Sequence, residues 1–258
     1  MVPKTVIVVP CYNEQRRLRP GELLPVLKAE GTHLLLVDDG SSDGTATLLE
    51  SMAAQHPGRV SWRGLGSNHG KAEAVRLGML DALSDGAEAV GFVDADASTP
   101  ADEVLRLVQE LRAGRASVVM GARVALLGSQ IRRGAVRHFL GRLFATAAST
   151  ALALPVYDTQ CGAKLFRDSP ALRAAVARPF RSRWAFDVEL IGRLLLPPPG
   201  IAPLAASDFL EIPVRRWEDV GGSKLTLGSM IRAGLDLVPI AREVGLARRR
   251  RLKGDDRY

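Results

Sequence analysis

Acidic side chains gather at the ends of three short apolar runs, where chemistry is most readily built. Pro10-Cys11-Tyr12-Asn13-Glu14 closes the first run, Asp38-Asp39-Gly40-Ser41-Ser42-Asp43-Gly44 the second, and Asp94-Ala95-Asp96 a later one. Asp94 and Asp96 are two residues apart, so an extended backbone turns both carboxylates to the same side. Converging ionised carboxylates repel each other unless a cation or a ligand's donors compensate them. Hard carboxylate oxygens suit Mg²⁺ or Mn²⁺, which leave positions open for substrate phosphates. The expectation is that Asp94 and Asp96 grip such a dication, with no basic residue of the chain plugging the gap. Asp43 is equally at home as a helix cap.

Charge is also segregated along the chain. Between Leu111 and Tyr157 there is no Asp or Glu, yet there are seven arginines: Arg112, Arg115, Arg123, Arg132, Arg133, Arg137 and Arg142. An acid-free, Arg-bearing stretch that comes after a metal-type carboxylate pair suggests a phosphate-rich ligand. Arg123 directly succeeds a strand-like run, which places it near the same carboxylates. Gly64-Leu65-Gly66-Ser67-Asn68-His69-Gly70 lacks the spacing of a dinucleotide loop.

The elements that must position these groups alternate between two periods. Thr5–Pro10, His33–Asp38, Ala89–Asp94 and Ala116–Gly121 are continuous apolar runs that suit strands buried on both faces of a parallel sheet. Ala72, Val75, Met79 and Leu83 share one helical face between them, as do Val104, Leu107, Val108 and Leu111. Thr99-Pro100-Ala101-Asp102 reads as a helix start with Thr99 as the N-cap. Strand and helix in alternation mean an α/β domain, and ligands of open parallel sheets bind beyond the carboxyl ends of the strands. In the second half, Gln130–Leu154 reads as mostly helical, Asp158–Phe166 as a strand, Trp184–Leu196 as a helix and Asp208–Val214 as a strand. The division expected is an α/β unit over 1–225 and a helical, Arg-rich extension over 226–258.

Composition narrows the class. The formal net charge is +7, but six basic and two acidic residues lie between Arg248 and Tyr258. Charge so local argues against a nucleic-acid binder. With aromatics at 5%, the core must be aliphatic. Cys11 and Cys161 make neither a disulfide framework nor a zinc site, which fits a reducing, cytoplasmic compartment. The run Phe139–Tyr157 is interrupted by Arg142, and the part beyond that arginine is shorter than the roughly 20 apolar residues of a membrane span. The terminal Arg248–Arg251 run suits an anionic membrane surface or a solvated end.

Taken together, Val8-Val9-Pro10-Cys11-Tyr12-Asn13-Glu14, Val37-Asp38-Asp39-Gly40-Ser41-Ser42-Asp43-Gly44-Thr45, Asn68-His69-Gly70-Lys71 and Asp94-Ala95-Asp96 resemble family 2 nucleotide-sugar glycosyltransferases of the GT-A fold. Gly121-Ala122-Arg123, Asp158-Thr159-Gln160-Cys161-Gly162-Ala163-Lys164, Phe186-Asp187-Val188-Glu189 and Glu211-Ile212-Pro213-Val214 look like the dolichyl-phosphate β-glucosyltransferase branch and its bacterial relatives. The resemblance implies a Rossmann-like, mostly parallel sheet flanked by helices. It also implies transfer, with inversion, of a hexose such as glucose from a nucleoside diphosphate sugar such as UDP-glucose to a polyprenyl phosphate.

Carried over by position, Pro10, Tyr12, Glu14 and Asp38 hold base and ribose, and Asp39 and Lys71 complete the nucleotide site. Asp94 faces ribose or metal, Asp96 ligates Mg²⁺ or Mn²⁺, and Arg123 faces a phosphate. The mannosyl branch has a metal-assisting glutamine near Ser98, and this chain departs there. Eukaryotic members carry a membrane helix ahead of the first strand that is missing here, so attachment would come from surface features, or the acceptor is not a lipid. An ionised phosphate acceptor needs no strong base, whereas a hydroxyl acceptor does, and Asp187 is the candidate, ahead of Glu189. Lys164 and Ser223-Lys224 could reach phosphates or lie on solvated surface. The rival readings are transfer to a saccharide or other soluble hydroxyl, a haloacid-dehalogenase-type phosphatase built on Asp94-Ala95-Asp96, and a non-catalytic nucleotide-binding module.

Overall fold

The computed structural model describes residues 4–132, 135–218 and 236–246, the side chains of 132 and 135–138 excepted. In chain order the elements are β1 Thr5–Cys11, α1 Pro20–Leu23, β2 Thr32–Asp38, α2 Thr45–Gln55, β3 Val60–Gly64, α3 Lys71–Ser84, β4 Ala89–Val93, α4 Ala101–Arg112 and β5 Val118–Ala122. They continue as β6 Gln130–Arg132, α5 Ala135–Leu152, β7 Ala163–Arg167, α6 Pro170–Ala177, α7 Phe186–Leu195, β8 Phe209–Pro213 and β9 Arg216–Glu218. A further helix covers 236–246.

Seven strands form one sheet in the order β3-β2-β1-β4-β7-β5-β8. Every pairing is parallel except those of β7, which runs antiparallel to both β4 and β5. The second sheet pairs β6 with β9. The β-branched run of β1 shows why the sheet is buried on both sides: Ile7 and Val9 point into one apolar cluster with Leu34, Leu36, Leu49, Val104 and Leu107. Val6 and Val8 point into the other, with Val37, Val75, Met79, Phe92, Phe166 and Phe186. Each fully buried Val or Ile contributes about 1.5–3 kcal/mol. The core is mainly aliphatic, though Phe92, Phe166 and Phe186 form a buried aromatic seam, with Phe92 and Phe186 5.6 Å apart.

Three local expectations are corrected. The N-cap of α4 is Pro100, not Thr99, whose buried hydroxyl has no hydrogen-bond partner among the described residues. Gln130–Leu154 is not one helix, because β6 precedes α5 and pairs across to β9. Residues 158–162 are loop, and the strand begins at Ala163. The 225/226 boundary and Ser223-Lys224 fall within 219–235, and the Arg248–Arg251 run within 247–258, outside the described residues.

The antiparallel β7 has the largest effect on where side chains converge. Its register sets Ala163 opposite Val93, the last residue of β4. The start of β7 therefore reaches the same sheet edge as the carboxyl ends of β1, β2, β4 and β5.

Candidate active site

At that edge the ends of β1 and β2 are stitched together. Cys11 pairs with Asp38 in register, the Asn13 N–H donates to Ser41 Oγ (2.9 Å), and Asn13 Oδ1 accepts from the Ser42 N–H (2.8 Å). The Glu14 N–H donates to Thr45 Oγ1 at 2.8 Å. Asn13 sits at φ +53°, a left-handed conformation that Asn tolerates better than most residues. Pro10, Tyr12, Glu14 and Asp38 thus lie at the joined ends of β1 and β2. The Asp38 carboxylate is buried and accepts from the Ser41 N–H and hydroxyl. Asp43 precedes the N-cap of α2, Gly44, and its Oδ1 accepts from the Thr45 N–H at 3.0 Å.

Asp39, expected to touch the nucleotide, spends its carboxylate on the protein. Its two oxygens accept from the N–H groups of His69 and Gly70, each at 2.8 Å. Gly40 (φ +70°) lets the same loop close, since a Cβ there would stand 2.4 Å from the Ser67 carbonyl carbon. Asp39 is thereby a positioning residue. It fixes the turn that presents Lys71 at the first position of α3.

β4 ends at Val93, so Asp94 follows the strand and Asp96 lies in a turn, not on the extended backbone that their spacing predicts; each has a basic partner. Lys71 Nζ forms an ion pair with Asp94 Oδ1, and Arg17 Nη2 lies 2.7 Å from Asp96 Oδ2. Arg17 also reaches Glu14 Oε1 at 3.2 Å. The expectation of a carboxylate pair with no internal basic partner is therefore corrected. Two acids brought together at a partly dry edge raise each other's energy, and the chain's own cations settle there. Burial first, and Asp94 second, push the Asp96 carboxyl above its usual range, against the Ser98 N–H and Arg17. Burial by itself would lower the Lys71 ammonium, but Asp94, Asp187 and Asp96 outweigh it and raise it.

Among the described residues, no group of three or more His, Cys, Asp or Glu is arranged to hold a metal. Mg²⁺ and Mn²⁺ do not need one, because one or two carboxylates suffice where substrate phosphates complete the shell. Asp94 and Asp96 are close enough to perturb each other and could hold such an ion only by giving up Lys71 and Arg17, their present partners.

The segment ahead of β7 supplies the rest. Lys164 is fully buried rather than solvated: its Nζ is 2.8 Å from Asp187 Oδ1, donates to the Cys161 carbonyl at 2.5 Å, and lies 5.2 Å from the Phe92 ring centre. Asp187 stands in the first turn of α7, buried, with Gln160 Nε2 3.5 Å from its Oδ2. Its Oδ1 faces Lys164 off the hydrogen-bond direction and accepts no directed bond among the described residues. The Asp187 carboxyl is thus held above the usual carboxylate range by burial, against the pull of Lys164 and Lys71. Glu189 instead accepts from the N–H groups of Arg181 and Ser182 and pairs with Arg193, which makes it structural.

Arg123, expected at a phosphate, is committed to Asp158. Its Nε and Nη2 donate to the two carboxylate oxygens at 2.7 and 2.8 Å, and its own N–H adds a third bond at 3.0 Å. The guanidinium also sits 5.2 Å from the Trp217 ring centre. Burial would raise the Asp158 carboxyl, but Arg123 overrides it and holds the acid well below the carboxylate range. The other described arginine side chains of the acid-free stretch are likewise engaged. Arg112 donates to Glu30 O, Arg115 pairs with Glu110, and Arg142 lies over the Tyr157 ring. Acid-free in sequence is not acid-free in space. The pairings of Arg17 with Asp96, Asp158 with Arg123 and Gly162 with Asp94 have no local sequence signal, because those partners are distant along the chain.

A model of "Glycosyl transferase family 2" matches residues 6–172. A dolichyl-phosphate beta-glucosyltransferase of Trichomonas vaginalis is 32% identical over 251 residues, 92% of this chain and 70% of that protein. A polyprenol monophosphomannose synthase of Mycolicibacterium smegmatis is 26% identical, covering 90% of this chain and 84% of that one. In structure, a glucosyl-3-phosphoglycerate synthase of Mycobacterium tuberculosis, solved with Mn²⁺, UDP and glucosyl-3-phosphoglycerate, superposes with a TM-score of 0.66 at 19% identity. That likeness covers 93% of this chain and 80% of the other, and it bears out the GT-A fold. The phosphatase and non-catalytic readings fall away. The chain belongs to glycosyltransferase family 2.

Proposed function

We propose that this glycosyltransferase moves glucose from UDP-glucose to a polyprenyl phosphate, with inversion at the anomeric carbon. The observation that carries the reading is the convergence of Asp94, Asp96, Lys71 and Asp187 at one sheet edge beside the stitched ends of β1 and β2. Its support outside this chain is that relatives alike over nine-tenths of its length are named for dolichyl or polyprenol phosphate acceptors.

In this reading Pro10, Tyr12, Glu14 and Asp38 receive the uridine, and Asp94 and Asp96 hold Mg²⁺ or Mn²⁺. A dication held there would supply positive charge against the negative charge developing on the leaving diphosphate. Lys71, carried on the first turn of α3, adds a positive charge of the chain's own at the same place. An acceptor phosphate oxygen attacks C1 from the face opposite the leaving group. The C1–O bond to the acceptor forms, the C1–O bond to the β-phosphate breaks, and UDP departs with that electron pair. Asp187 accepts the proton when the attacking group still carries one.

Peripheral membrane attachment belongs to the same proposal. Among the described residues no helix is long and apolar enough to cross a membrane. Leu126, Leu127 and Leu143 are exposed within the acid-free stretch, a composition suited to an anionic bilayer surface.

The test is transfer of labelled glucose from UDP-glucose to a C55 polyprenyl phosphate with Mn²⁺, with GDP- and dTDP-glucose and a saccharide acceptor as comparisons. Transfer to the lipid phosphate, lost with EDTA and in Asp96→Ala, is expected. Transfer only to the saccharide would overturn the acceptor, and full activity in Asp96→Ala would overturn the metal assignment.

A further inference from the structure

The cation position between Asp94 and Asp96 has a resident. Lys71 Nζ pairs with Asp94 Oδ1, and its side chain remains 41% exposed. Asp96 is held differently: Oδ2 meets Arg17 at 2.7 Å and Oδ1 accepts from the Ser98 N–H at 3.0 Å. Arg17 shares its fork with Glu14 and is only 20% exposed, so it is anchored from two sides. Among the described residues Lys71 has no second carboxylate in ion-pair contact, and it hangs on a flexible, solvated stem. Asp94 Oδ2 lies close over Gly162, where a Cβ would be only 2.0 Å distant, and Oδ1 is the oxygen that Lys71 occupies.

We propose that Lys71 is a displaceable counter-ion: it offsets the charge of Asp94 in the empty enzyme, as Arg17 does that of Asp96, and yields Asp94 to a dication only when a donor diphosphate offers the ammonium a new partner. The charge count supports this order. A dication alone would meet Asp94 already compensated by Lys71 and would turn the ammonium out to water, with no new anion to receive it. A dication arriving with a dianionic diphosphate adds no net charge, and the diphosphate takes up the freed Lys71. Metal and nucleotide then bind cooperatively, and the coupling resides in one side chain. The attraction of Lys71 to Asp187 as well as Asp94 and Asp96 keeps the ammonium in place until that exchange. The inference rests on the reading that Asp94 and Asp96 hold the metal.

The experiment is a titration of the full chain with Mn²⁺, free ion monitored by electron paramagnetic resonance, with and without UDP. Wild type should bind Mn²⁺ weakly alone and much more tightly with UDP. Lys71→Met should bind Mn²⁺ alone about tenfold tighter than wild type and gain far less from UDP, because one like charge at close range has been removed. Lys71→Arg, which keeps the charge, should stay near wild type. Lys71→Met binding Mn²⁺ alone no tighter than wild type overturns the inference. Asp96→Ala binding Mn²⁺–UDP as wild type does overturns the metal reading instead, so the two failures are distinct. Should Lys71→Met not fold, ¹³C-dimethylated lysines in the wild-type chain give the same answer. The Lys71 resonance should stay put with Mg²⁺ alone and move with Mg²⁺ plus UDP; movement with Mg²⁺ alone, or none with both, overturns the proposal.

Discussion

Gly162 and Asp94 are fitted to each other: the Asp94 N–H donates to the Gly162 carbonyl at 3.1 Å, and a Cβ on Gly162 would stand 2.0 Å from Asp94 Oδ2. The glycine is a demand of the neighbouring carboxylate, imposed where the start of β7 meets the end of β4. Gly162→Ala is accordingly expected to push the carboxylate aside while leaving the sheet intact, at a stability cost of about 1–3 kcal/mol. Calorimetry should find Mn²⁺–UDP affinity down about tenfold or more, with an unchanged circular dichroism spectrum. Wild-type affinity in this variant would remove Asp94 from the site.

Asp158 and Arg123 form a buried pair that a single truncation leaves half-neutralised. Asp158→Ala should cost about 3–5 kcal/mol in chemical denaturation, because the guanidinium stays buried without its acid. The same pair gives a pH signature. The folded-state carboxyl is held below its unfolded value, so its contribution is complete above the unfolded value and is lost as pH falls towards the folded one. Wild type should lose stability below about pH 4, where the free acid titrates, and Asp158→Asn should lose less over that interval.

Asp187 should show itself in a pH profile. Its carboxyl is raised chiefly by burial, so a base of this kind loses function at a pH above the ordinary carboxylate range. Asp187→Asn is expected to reduce kcat/KM up to about 100-fold where Asp187 is ionised and the acceptor phosphate still carries its second proton, and by less at lower pH, where the wild-type carboxyl is itself protonated. The deficit should narrow above roughly pH 6, where a phosphomonoester acceptor has lost its second proton and needs no base. A deficit constant across pH would assign Asp187 to structure, through Lys164.

Asp39 offers a test of a positioning role. Asp39→Ala strips acceptors from the N–H groups of His69 and Gly70, which should loosen the turn that presents Lys71. Those unpaired donors should cost about 1–3 kcal/mol of stability. The KM for the nucleotide sugar should rise several-fold with kcat less affected; an equal fall in both kcat and kcat/KM would argue for direct contact in the transition state.

Much of this was legible along the chain. Apolar runs ending in Asp38 and Asp94 announce strands that deliver acids to one edge, since a parallel sheet aligns its carboxyl ends and the side-chain period is fixed by backbone geometry. The Pro10–Glu14, Asp38–Asp43 and Asp94–Asp96 motifs needed no coordinates to be singled out. Partners were another matter. That Arg123 meets Asp158, that Lys71 meets Asp94, and that Arg17 meets Asp96 depends on groups 35, 23 and 79 residues apart. No local period encodes such pairings. Sequence dictates where charges sit on their own elements, whereas neutralisation is settled by which elements the fold brings within a few ångströms. The reversed direction of β7 is the clearest case: its residues read as an ordinary buried strand, yet only pairing between β4 and β5 carries Gly162, Lys164 and, through α7, Asp187 to the working edge. Strand direction is a property of the whole sheet, and so it was decided by the tertiary structure alone.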